Sequence, residues 1–152
     1  MLFETPNPPH GMDELLKKLE DDYVKAVKNN ESKSIEEFIE QFLYDSWTYN
    51  EQNMQNIKIV LSRYTSGEIF QETLSESFNI MVDHLRVRLE QLDQEMHYPV
   101  LHSKHGASLL VAFVDGLVLQ YYIGTYSADK LRELTPYLKS IILQGLKTEG
   151  DL

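Results

Sequence analysis

The chain has 152 residues, of which 42% are hydrophobic and 25% charged, so it can fill one core and is no disordered tract. It contains no cysteine, which excludes disulfides, thiolate metal sites and a cysteine nucleophile. Twenty-four acidic residues against 14 basic ones give a formal net charge of −10, and with no compact Lys/Arg run this disfavours direct nucleic-acid binding.

Residues 1–11 (MLFETPNPPHG) carry Pro6, Pro8 and Pro9 and are expected to form an extended lead-in to a folded domain over 12–152. No basic stretch followed by an apolar run opens the chain, so no signal peptide is read and a cytoplasmic location is expected. Helical periodicity begins after Gly11, with Leu15, Leu16, Leu19, Tyr23 and Val27 on one stripe and Glu14 four residues before Lys18. Asn29 to Ser32 closes this first helix. The acidic run Glu20-Asp21-Asp22 reads as a solvated face.

Ser34-Ile35-Glu36-Glu37 has the form of a capping box. It opens a helix with Ile35, Phe38, Ile39, Phe42, Leu43 and Trp47 on one face. A polar break, Asn50 to Asn53, separates it from a short helix with Ile57, Val60, Leu61 and Tyr64, stopped at Thr65-Ser66-Gly67. A long helix over roughly 68–95 follows, its apolar positions (Phe70, Leu74, Phe78, Met81, Leu85, Leu89 and Leu92) alternating three and four apart. Residues 97–106 make a loop around Pro99. Helices over about 106–124 and 128–147 complete the chain, divided by Gly124-Thr125-Tyr126-Ser127. The predicted fold class is all-α, an antiparallel bundle of about six helices.

Ala107 to Ile123 is almost unbroken apolar, yet it is shorter than the roughly 20 residues of a membrane span. Asp115 at its middle would cost about 2.5–3.5 kcal/mol on insertion. A buried helix, with no membrane partner, is the expectation. At about 100° per residue, Ser108, Ala112 and Gly116 share an edge continued by Leu119 and Ile123. Leu110, Val114, Leu117, Val118 and Tyr121 lie on the opposite side. The last helix aligns Leu134, Leu138, Ile141 and Gly145, with Leu131, Ile142 and Leu146 beside them, and Pro136 is expected to bend or delay its start. Two helices with this much apolar surface predict a homodimer through a four-helix interface. A central helix buried entirely by its own domain is the alternative.

The run Leu109-Leu110-Val111-Ala112-Phe113-Val114-Asp115-Gly116-Leu117, a short loop and a last helix ending Ile142-Leu143-Gln144-Gly145-Leu146 resemble the C-terminal domain of TetR-type transcriptional regulators. The order of the preceding helices is similar to that domain over residues 12–148. The resemblance implies the effector-binding and dimerisation half of a repressor, its last two helices forming the dimer interface and the others enclosing a small-molecule pocket. The family's helix-turn-helix domain is not among these residues, so DNA would be reached only through a domain outside this sequence.

Phe42, Trp47, Tyr64, Phe78, Met81 and Phe113 are the candidate effector contacts, because ligand sites are apolar with a few orienting polar groups. Taken singly, each also reads as an ordinary core residue. Trp47 and Tyr64 lead the set, since a buried indole N–H or phenol O–H needs a partner. His84 is a possible titratable contact or a surface residue. His97, His102 and His105, with Glu95 nearby, match no familiar ligand spacing, so neither metal nor cofactor is expected. Asp115, if buried, must be hydrogen-bonded, paired or protonated, and a structural role at a helix-packing surface is expected. No nucleophile elbow, phosphate loop or catalytic set is present, so no enzymatic activity is expected. The rival to a sensor of a small apolar or aromatic molecule is a helical protein–protein adaptor with a filled core.

Overall fold

The computed structural model describes residues 12–150, which form five α-helices and one short 3-10 turn, with no strand among them. The predicted lead-in therefore falls outside the described residues. Helix α1 (Glu14–Asn29) starts at Asp13, whose carboxylate accepts hydrogen bonds from the backbone N–H groups of Leu15 and Leu16 at 2.8 and 3.1 Å. Arg63 reaches the same carboxylate at 2.8 Å. Burial works to raise this acid, but the two N–H groups and the guanidinium outweigh it and hold it below its ordinary value. The acidic run in α1 is not uniformly solvated. Glu20 is only 3% exposed and takes Lys17 at 2.9 Å, while Asp21 is exposed.

Helix α2 (Ile35–Thr65) runs continuously where the sequence predicts two helices. The break survives as a kink at Asn53, with φ −119° and ψ 15°. The side-chain amides of Asn50 and Asn53 donate to the carbonyls of Ser46 and Tyr49 at 2.8 and 3.0 Å. Such back-bonding competes with the helical ladder and bends the helix without ending it. At the start of α2, Ser34 Oγ accepts from the N–H of Glu37 at 3.1 Å, as a cap should. The Glu37 carboxylate takes the N–H of Lys33 instead of that of Ser34.

Helices α3 (Gln71–Leu92), α4 (Gly106–Tyr122) and α5 (Ala128–Leu146) fall close to their predicted spans. Pro136 lies inside α5 without delaying its start, which Ser127 caps at Lys130 N–H, 3.0 Å. A 3-10 turn, Pro99–His102, links α3 to α4. Asp93 organises that connection: its buried carboxylate accepts the N–H groups of His97 and Tyr98 at 3.0 and 2.9 Å and faces His102 Nε2 at 2.9 Å.

Helix α1 packs chiefly on α3, α2 on α5, and α4 across α3 and α2. The main core joins Phe38, Ile39, Leu43 and Trp47 of α2 to Leu85 and Leu89 of α3, Leu110 and Val114 of α4, and Leu131 and Ile142 of α5. A smaller cluster of Leu16, Val60 and Ile69 closes the other end. In the first half of α3 the inward residues are Thr73 and Ser77, while Phe70 and Phe78 turn outward. Small side chains let α1 and α3 approach closely, displacing the aromatic stripe the spacing suggests. No described helix is long and apolar enough to cross a membrane.

Candidate functional site

A cleft of about 640 Å³ opens between α1, α2, α3 and α4. The amphipathic stripe of α1 brings Leu19, Tyr23 and Val27 to it. Helix α2 contributes Phe42, Ser46, Tyr49 and Asn50 before the kink and Ile57 and Leu61 beyond it. The kink thus lets one helix form two walls. Met81 of α3 and Val111, Val114, Val118 and Leu119 of α4 complete the apolar lining.

Polar groups gather at fixed points on these walls. Tyr49 donates its phenol proton to Asp22 at 2.7 Å, and Lys18 meets the same carboxylate at 2.6 Å. The lysine hydrogen bond leads in holding Asp22 below its ordinary value. Tyr122 donates to Asn50 Oδ1 at 2.6 Å. The Tyr23 hydroxyl is buried and has no hydrogen-bond partner among the described residues, although its ring packs edge-on against Phe42 at 6.3 Å. Burial, then the charge of Asp115, raises the Tyr23 phenol well above its ordinary value.

Asp115 stands in the wall formed by α4, with no hydrogen bond or ion pair among the described residues. It is exposed on the open side of the cleft rather than sealed in a helix contact, but its neighbours in the wall, Val111, Val114 and Val118, are apolar. That desolvation pushes its carboxyl from 3.8 up to about 6. Because the folded state favours the protonated acid, stability from this group is complete below 3.8 and declines as pH rises through about 6. A positive charge placed beside it would reverse that loss.

Of the residues singled out by sequence, Phe42 and Met81 line the cleft. Trp47, 1% exposed, is core, its Nε1–H donating to Thr135 Oγ1 at 2.9 Å. Tyr64 packs on the small cluster at the far end, Phe78 sits on the outer surface of α3, and Phe113 packs against the main core. His84 does not line the cleft. Tyr23, Tyr49, Tyr122 and Asp115 are the cleft residues that aromatic spacing does not select. Among the described residues no three His, Cys, Asp or Glu side chains converge on a metal position, and His102 is engaged by Asp93.

On the edge of α4 that adjoins the cleft, Ser108, Ala112, Gly116, Leu119 and Ile123 are all exposed, Leu119 at 59% and Ile123 at 71%, and Leu119 belongs to both surfaces. On α5, Ile141 and Gly145 are exposed and Leu134 is half-buried, but Leu138 packs into the core of its own chain. The predicted line on α5 lies at the border of the buried face, so Leu138 falls inward and Tyr137, 66% exposed, falls outward. Compared with known proteins, the chain matches no family model, no curated protein and no solved structure.

Proposed function

We propose that the chain is a non-catalytic effector-binding and dimerisation domain, of the kind found in TetR-like transcriptional regulators, sensing a small molecule with an apolar or aromatic body. The observation that carries this reading is the double use of α4. One face, Val111, Val114, Asp115 and Val118, lines the cleft, and the adjoining edge, Ser108, Ala112, Gly116 and Ile123, is uncovered, with Leu119 shared between the two. A molecule seated in the cleft bears on a helix whose neighbouring edge would meet a second copy. Ligand and subunit placement would then be coupled through one rigid element, and any attached DNA-binding heads would move with it. The adaptor reading requires a filled interior, and the cleft weighs against it.

Gly116 supplies the test. A Cβ built there meets nothing within 4 Å inside the chain, so Gly116→Phe should leave the monomer fold intact. Sedimentation velocity at high micromolar concentration should show a dimer for the natural chain and a monomer for Gly116→Phe, with unchanged far-ultraviolet circular dichroism. A monomeric natural chain overturns the dimer; a dimeric Gly116→Phe moves the interface elsewhere. For the sensor, saturable thermal stabilisation by one chemical class in a metabolite screen is expected.

A further inference from the structure

We propose that the occupant of the cleft is a primary amine on an apolar or aromatic body, its ammonium group held between the Asp115 carboxylate and the Tyr23 hydroxyl oxygen. This rests on the cleft being a ligand site and names the class of ligand. Among the described residues, the acids lining the cleft are Asp22, Asp45 and Asp115, and no Lys, Arg or His lines it. Asp22 is occupied by Lys18 and Tyr49, and Asp45 accepts the Gln41 amide at 2.7 Å. Asp115 alone has no such partner among the described residues. Asp115 is exposed on the open side of the cleft, so it needs no partner to exist there, but it is free of any competing cation and can take an ammonium group.

The second observation is independent of that charge. The buried Tyr23 hydroxyl has no partner among the described residues, which leaves its oxygen able to accept a hydrogen bond from an incoming ammonium. The rings of Tyr23, Phe42, Tyr49 and Tyr122 around the same space suit a cation flanked by an apolar body. A chain of net charge −10 also concentrates cations near its surface. An anionic ligand would face three carboxylates, and the cation nearest them, Lys18, is already paired with Asp22.

Three probes that share one apolar body separate the possibilities: phenylbutylamine, phenylbutanol and phenylbutyrate, titrated calorimetrically against the whole chain at about pH 8. The amine should bind at least tenfold more tightly than the alcohol, and the butyrate more weakly than either. Asp115→Asn should abolish the preference for the amine while leaving the alcohol's affinity unchanged, which also shows that the variant is folded. Tyr23→Phe should weaken the amine and spare the alcohol.

Lowering the pH from about 8 to about 5 should weaken the amine as Asp115 takes up a proton, and Asp115→Asn should remove that dependence. The other ionisable groups on these walls are Asp22 and Tyr23 from α1, Asp45 and Tyr49 from α2, and Tyr122 from α4, while α3 presents only the uncharged Met81. Equal binding of amine and alcohol overturns the amine proposal but leaves the sensor standing. If none of the three binds at millimolar concentration, both fall.

Discussion

Trp47 is the single tryptophan of the chain, and its indole N–H is satisfied by a hydroxyl from another helix, Thr135 Oγ1. That hydroxyl in turn donates to the Leu131 carbonyl at 2.7 Å, so each of its roles is taken. Thr135→Val keeps the shape and strands a buried N–H, which should cost about 1–3 kcal/mol. Urea denaturation followed by tryptophan emission reads that loss directly, and Thr135→Ser should recover most of it. The rule that a buried indole needs a partner applies to Trp47, but it does not say where the partner lies. Here it is 88 residues away in sequence and inside the core. Asp115 shows the converse. Its isolation in an apolar helix is plain from spacing alone, whereas its outlook onto a cleft depends on how α1 and the bent α2 pass in front of it.

At the scale of elements, the helices are set by local chemistry and their predicted limits are close to those observed. Asp13, Ser34 and Ser127 each accept a first-turn N–H, and Gly67 and Gly124 follow α2 and α4 at φ 86° and 85°, a conformation glycine adopts without strain. The break at Asn50 to Asn53 was legible, but that α2 would bend there and continue was not, because asparagines that ordinarily end a helix can also bond back to it. Nor was the role of Gly106. A Cβ at that position would lie 1.9 Å from the Val100 carbonyl oxygen, so α4 can begin against the 3-10 turn only with glycine there. Gly106→Ala should destabilise the fold by about 1–3 kcal/mol or more, by the displacement it forces. Gly145→Ala, with nothing within 4 Å, should be neutral or stabilising by up to about 1 kcal/mol. Thermal denaturation of the pair separates a packing requirement from ordinary helix propensity.

For the molecule as a whole, the surplus apolar surface on α4 was legible because a helix with two apolar sides is visible in one sequence. Which face meets which neighbour was not, and this is why Leu138 turns inward and Tyr137 outward. If the exposed edge is covered by a second copy, unfolding is linked to dissociation. The midpoint of thermal unfolding should then rise with protein concentration over the micromolar range, and Gly116→Phe should flatten that slope.

Val27, Phe42, Val111, Val114 and Val118 belong to the main core and also line the cleft. These side chains are already nearly buried, and a guest seated there would cover what they still expose and add contacts on their cleft side. The empty chain should therefore open more often than the filled one, and intracellular proteolysis follows the population of open molecules. The steady-state amount of the protein would then rise and fall with the supply of its guest, giving the same cleft a second output through turnover.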